Sequence, residues 1–192
     1  MTSTSGGIGK NELSAKIEYF PLKETVFYLD DEVKITTKYL NHPVLCLGYK
    51  IEYRDKVFCL ATDSEPYRNV FSLSPDDPDY DELAAEEGEA AAQEENRKLV
   101  DFYRGADLLI HDAQYTEAEY KNGKLGWGHS SYEYIIETAS AAGVKELVLT
   151  HHDPERTDEE LDRFAAVYYE KYSEINKKMH FSLAVEGTVF KL

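Results

Sequence analysis

Five places in this 192-residue chain carry side chains suited to holding a cation or moving a proton. They are His42, Asp63, the pair His111-Asp112, His129 within Gly126-Trp127-Gly128-His129, and the run His151-His152-Asp153. Imidazole and carboxylate are the nitrogen and oxygen donors that take zinc, iron or manganese. They also serve as general acids and bases near neutral pH. Taken singly, each has a plain structural explanation. His42 precedes Pro43 and can be an extended turn residue; Asp63 precedes Ser64-Glu65-Pro66 and can cap a turn; His111 can be a satisfied core histidine, and His180 an ordinary strand residue. Together they share a placement: all but His129 and His180 fall at, or just beyond, the expected C-terminal end of a strand. Strand ends hold short side chains on rigid supports, as a metal site requires. His129 stands just before an expected helix N-terminus, where free amides and the helix dipole favour a phosphate oxygen.

The positioning elements follow from the apolar pattern. Residues 25–63 read as β structure: Val26–Leu29, then Val33–Leu40 with Val33, Ile35, Thr37 and Tyr39 on one side, then Leu45–Tyr53 and Lys56–Thr62 flanking a tight hairpin at Arg54-Asp55. Residues 74–95 read as an acidic insertion or loop. From 76 to 95 they hold ten acids and no Lys or Arg, although Ala84–Gln93 could be helical. Asn96–Arg104 continues as a helix. Asp107–His111 and Glu146–Thr150 are short buried strands, and Phe181–Leu192 returns as β. Ser130 with Glu133, and Thr157 with Glu160, match capping boxes opening helices that run to Gly143 and to about Lys178. Residues 1–15, small and polar, read as a loop or frayed start. The order, β-rich and then alternating, predicts a single layered α/β (α+β) domain over residues 1–192.

Composition bounds the function. With 21 Lys+Arg against 37 Asp+Glu the net charge is −16. That field repels phosphate-rich polymers and anionic lipid, so a long nucleic acid or a membrane surface is not the expected partner, although a local basic site is compatible with it. The chain contains no apolar run long enough to span a bilayer and no basic-then-apolar leader, and its two cysteines, Cys46 and Cys59, make no disulfide framework. Both read as buried free thiols, and the expected location is the cytoplasm. Trp127 either lines a substrate pocket or packs beneath its loop; packing is the preferred expectation.

The runs "DLLIHDAQYTEAEY", "GWGHSS" and "AGVKELVLTHHDPERTDEEL", with "NHP" and "ATDSEP" upstream in that order, resemble metallo-β-lactamase-fold hydrolases. The nearest branch is the one around RNase Z and bacterial phosphodiesterases, and the likeness covers roughly residues 17–192. The resemblance implies the C-terminal portion of an αββα sandwich and hydrolysis of a phosphodiester by a metal-bound hydroxide. His42 would be a ligand of a first metal, Asp63 would bridge two metals, and His151 would bind the second, with His152 a substitute. His129 would contact the scissile phosphate or shuttle a proton. Asp112 stands where the family has a Glu of a His-Glu proton relay. The implied cofactor is a divalent cation pair, two zinc ions or else iron or manganese, and the implied substrate is a small phosphodiester.

One family feature is absent: no His-x-His-x-Asp-His motif occurs in the chain. His42 with Asp63, and Asp63 with His151, leave two protein donors per metal where three or four are usual. The chain is therefore expected to be a truncated piece, or to be completed by a second chain or a homo-oligomer, with an uncovered sheet face as an association surface. Two other readings follow: a catalytically incompetent partner-binding chain, and a di-iron relative that handles oxygen, since His and Asp donors do not separate iron from zinc.

Overall fold

A computed structural model describes residues 19–71 and 74–192. The expectation for residues 1–15 lies outside the described residues. Seven strands form one sheet in chain order: β1 (Thr25–Leu29), β2 (Val33–Tyr39), β3 (Leu47–Tyr53), β4 (Lys56–Ala61), β5 (Leu108–Asp112), β6 (Glu146–Thr150) and β7 (His180–Leu183). The first four pair antiparallel, β1–β2 and β3–β4 through tight turns and β2–β3 through the loop 40–46 that carries His42. In the β3–β4 turn Tyr53 faces Lys56 across Arg54-Asp55, and Arg54 takes a left-handed φ of 53°. A two-residue loop between right-twisted strands demands that conformation. From β4 onward every pairing is parallel. Parallel neighbours need crossovers. These are α1 (Glu82–Tyr103), then α2 (Glu117–Glu119) with a wide turn and α3 (Tyr132–Ala141), then α4 (Asp158–Lys171) with α5 (Ser173–Asn176).

The helices cover one sheet face. Cys59, Leu109, Leu147, Leu149 and Phe181 meet Leu99, Phe102, Tyr103, Ile135, Ile136 and Tyr168 in a single buried cluster. On the other face Phe58, Leu60 and Ile110 remain only half-buried. Burial pushes the Cys59 thiol up to about 12, so it stays protonated and inert. Cys46 is half-buried rather than fully enclosed.

Four expectations need correction. The acidic segment is helix from Glu82 onward: Asp81 caps it by accepting from the Ala84 amide, and its acids stay in water while Leu99 and Phe102 further along reach the core. Ser131, not Ser130, caps α3, because the Ser130 hydroxyl is used on the Ser64 carbonyl. The long last helix breaks at Tyr172 (φ −108°). The final strand stops at Leu183 because Val185 and Val189, 71% and 78% exposed, find nothing to pack on.

The entrance to β5 carries a pH-sensitive tie. Asp107 accepts from Lys145 Nζ at 2.6 Å and from the Val57 amide at 2.8 Å. The Lys145 bond holds its carboxyl below the ordinary value. The ionised form therefore favours the fold: its contribution is full above about pH 4 and fades as pH falls through the depressed value. Lys145 is 71% exposed, so the effect is at most about 1 kcal/mol. Urea midpoints of Asp107→Asn should drop less between pH 7 and pH 3 than those of the parent.

Candidate metal and phosphate site

Parallel order sends the C-terminal ends of β4, β5 and β6 to one edge of the sheet. Ala61 pairs with His111, and Asp112 with Thr150. Residues just past those ends therefore converge, as in open parallel sheets generally. Asp63 follows β4, Asp112 ends β5, and His151 follows β6. His129 arrives from the Gly-flanked loop before α3. Among the described residues, Asp63, His129 and His151 form a group whose donor atoms all lie within 4.8 Å of one another. His151 Nε2 is 3.3 Å from Asp63 Oδ1, and His129 Nδ1 is 4.0 Å from the same oxygen. The His129 and His151 rings stack with centroids 4.8 Å apart.

Backbone conformation sets this group apart. Among the described residues five non-glycines have left-handed φ: Asp30, Asp31 and Arg54, all in hairpin turns, and Asp63 (46°) and His151 (58°). The last two are in no hairpin. Such conformations cost on the order of 1 kcal/mol each and persist where the surroundings demand a particular side-chain direction.

His42 is close but differently engaged. Its ring meets that of His129 edge-on at 5.5 Å, and its Nδ1 lies 2.9 Å from the Val44 carbonyl oxygen. The Val44 amide nitrogen also lies 3.2 Å from the same Nδ1. The approach depends on Gly128 (φ 89°), where an added Cβ would lie 2.3 Å from His42 Cδ2 and 2.6 Å from Pro43 Cδ. Gly128→Ala should cost about 2 kcal/mol or more. Gly123→Ala, at φ 98° with nothing within 4 Å, should cost about 1 kcal/mol for backbone strain alone. Urea unfolding of the pair separates contact from strain.

Asp112 is fully buried. Its Oδ1 accepts from the Ser64 amide and its Oδ2 from the Ser130 amide, each at 3.0 Å. His111 Nδ1 lies 3.2 Å from Oδ1, and His129 Nδ1 3.4 Å from Oδ2. Burial pushes its pKa upward; His111, His129 and the Ser130 amide together outweigh that and hold the carboxyl below the usual range. Burial likewise pulls His129 down, but Asp112, Asp63 and Glu65 prevail and its pKa is raised. Asp112 thus joins the loops after β4 and before α3 and orients His129. His111 is a satisfied core residue, with Nε2 at 3.2 Å from the Tyr103 hydroxyl and Nδ1 at 2.7 Å from the Asp112 carbonyl oxygen. His152 is turned away from the group, its Nδ1 3.0 Å from the Tyr132 hydroxyl and its pKa lowered by burial. His180 lies on β7 beside Glu146.

Glu65 was not singled out in the sequence. It is 6% exposed and accepts from the Gly126 amide at 2.9 Å, pinning the loop that carries His129. An acid between Ser64 and Pro66 looks like a solvated turn residue, so nothing in the sequence marks it. Trp127, expected to pack under its loop, is 55% exposed.

The donors suit a divalent cation. Two imidazoles and a carboxylate form a three-ligand set of the kind that leaves a fourth position open. His129 Nδ1 is buried without a well-directed hydrogen-bond partner, which is costly unless something else engages it.

No family model matches the chain. It is 26% identical over 174 residues to a Ribonuclease Z of Trichodesmium erythraeum, covering 76% of this chain and 51% of that protein. It is 26% identical over 177 residues to a Ribonuclease Z of Brevibacillus brevis, covering 78% and 54%. Its fold matches the metallo-beta-lactamase fold protein YhfI from Bacillus subtilis with a TM-score of 0.55 at 18% identity, over 87% of this chain and 52% of that one. The chain spans about half the length of these relatives.

Proposed function

From a chain that has the C-terminal part of the metallo-β-lactamase fold and a ribonuclease Z-like sequence, we propose metal-dependent hydrolysis of a phosphodiester. The observation that carries this is the convergence of Asp63, His129 and His151, two of them held in left-handed backbone, at the ends of parallel strands. These three residues would hold one divalent cation. When bound, such a cation polarises a phosphoryl oxygen and lowers the pKa of water. The chain's own residues do the rest. Asp112, its Oδ2 3.4 Å from His129 Nδ1, lies against the ring that would serve as a ligand and fixes its direction. Among the described residues these donors form one group of three.

The likeness to proteins named ribonucleases supports a nucleotide-type diester, while the −16 charge favours a short substrate over a long polymer. The test is turnover of bis(p-nitrophenyl) phosphate with added zinc or manganese. Activity abolished by chelation, and by Asp63→Asn, is expected. A folded protein that binds the cation and yields no turnover overturns the hydrolase reading in favour of partner binding. The exposed Tyr28, Val44 and Leu45, 58%, 69% and 81% accessible, fit that alternative.

A further inference from the structure

The loop that delivers His129 also carries a large aromatic surface that the hydrolytic residues do not use. Trp127 is the only tryptophan in the chain. It sits between Gly126 (φ 82°) and Gly128 (φ 89°) and remains 55% exposed. A side chain of this size normally gains most by burial, yet here two left-handed glycines turn the chain so that the indole stays in solvent. One face is already engaged: Lys124 Nζ lies 4.0 Å from the ring centroid. The same ammonium lies 5.2 Å from the Tyr115 ring, and that ring is 6.4 Å from His129. An unbroken series of contacts thus joins His129 to the indole. The Arg68 guanidinium comes within 3.0 Å of where a Cβ on Gly126 would sit, packed beside the loop whose Gly126 amide Glu65 accepts at 2.9 Å. In a chain of net charge −16, Lys124 over the indole sets a positive charge against the exposed ring.

We propose that Trp127, backed by Lys124, is a nucleobase subsite, so that the substrate bears a base next to the phosphate held near His129. The proposal rests on the phosphodiesterase reading and names the substrate group that reading leaves open. A base stacks on the indole area left free by Lys124, a contact that every base can make through its π face. The ammonium on the opposite face enhances ring binding through its charge and lowers the cost of bringing a phosphate close. Spacing fits as well: Trp127 and His129 are two residues apart, at most about 7 Å between Cα atoms, which is the reach of one nucleotide from base to phosphate.

The sole tryptophan is its own reporter. Its emission is followed while the protein, with zinc and separately with chelator, is titrated with adenosine 5′-monophosphate or ribose 5-phosphate. Saturable quenching by adenosine 5′-monophosphate is expected, with ribose 5-phosphate binding about tenfold or more weakly. Lys124→Met should weaken adenosine 5′-monophosphate severalfold. Trp127→Ala, followed by titration calorimetry, should bind the two compounds alike; as an exposed residue Trp127 tolerates that change. Equal affinity of the parent for both compounds, or undiminished preference for the base in Trp127→Ala, overturns the subsite. Base-dependent quenching without turnover of the aryl diester keeps the subsite and removes hydrolysis. Turnover with no preference for a base keeps hydrolysis and removes the subsite.

Discussion

Alanine at Asp112 is expected to cost about 3–5 kcal/mol of folding stability, more than any other single change near the site. The side chain is 0% exposed, so water cannot take over its bonds. Its loss leaves the Ser64 and Ser130 amides, each now 3.0 Å from a carboxylate oxygen, without an acceptor in a dry interior. Asp112→Asn keeps the volume but recovers little, because its NH2 group must face one of those two N–H donors. Both variants should be compared with the parent by urea unfolding in chelator, so that cation binding plays no part. A loss under about 1 kcal/mol would mean that the amides find other acceptors, and the carboxylate would not be the tie between the two loops. The acid limb points the same way. With its pKa held low, Asp112 supports the fold at pH values above the ordinary carboxylate range, and that support is lost as pH falls through the depressed value.

This structural role accounts for the Asp where the family resemblance has a Glu. A longer side chain, projecting from the same strand end, would have to fold back to meet both amides. The resemblance assigns a proton relay; the bonds formed describe a residue that positions His129. Kinetics can tell the two apart. A residue that positions the ligand His129, once replaced, weakens zinc binding along with turnover, whereas a relay residue lowers turnover and leaves zinc affinity unchanged.

The legibility of the site divides along one line. Residues at strand ends could be read because β4, β5 and β6 are short apolar runs, and the polar residues that end them stand out. Their convergence could not be read: alternation and apolar runs identify strands but not parallel order, and only parallel order brings Asp63 and His151 to one edge. His129 was expected to act on phosphate, and the structure also brings it into the donor group, because two left-handed glycines redirect its loop. Glu65 and the Ser64 and Ser130 amides were invisible, since a buried acceptor for a backbone amide has no sequence signature. The misread elements fail for a related reason. The acidic stretch reads as an insertion or loop in which only Ala84–Gln93 could be helical, because charge dominates its composition; Asp81 caps the helix earlier and Leu99 and Phe102 anchor its far end. The last bond to β6 is that of the Ala184 amide to the Leu149 carbonyl, and beyond it Val185 and Val189 stay in solvent.

Glycine at Asp63 should produce opposite effects in the two states of the site. In chelator, Asp63→Gly should be more stable than the parent by about 0.5–1 kcal/mol, because a left-handed φ of 46° is strained for an Asp and natural for Gly. With zinc, the order should reverse. A parent at a zinc concentration about 100 times its dissociation constant gains about 2.7 kcal/mol. The variant has lost the carboxylate that faces both His151 and His129 and should bind about 100-fold more weakly or worse, gaining almost nothing. His151→Gly, at φ 58°, should cross over in the same way, while Arg54→Gly, in a hairpin at φ 53°, should gain in chelator and keep the whole zinc effect. Thermal unfolding of the four proteins with and without zinc reads all of this at once. If Asp63→Gly were less stable in chelator, Asp63 would be an ordinary turn-forming residue and its conformation would carry no message about metal. If it crossed over as stated, the strain at Asp63 and His151 is stability given up by the fold to aim two donors at one cation.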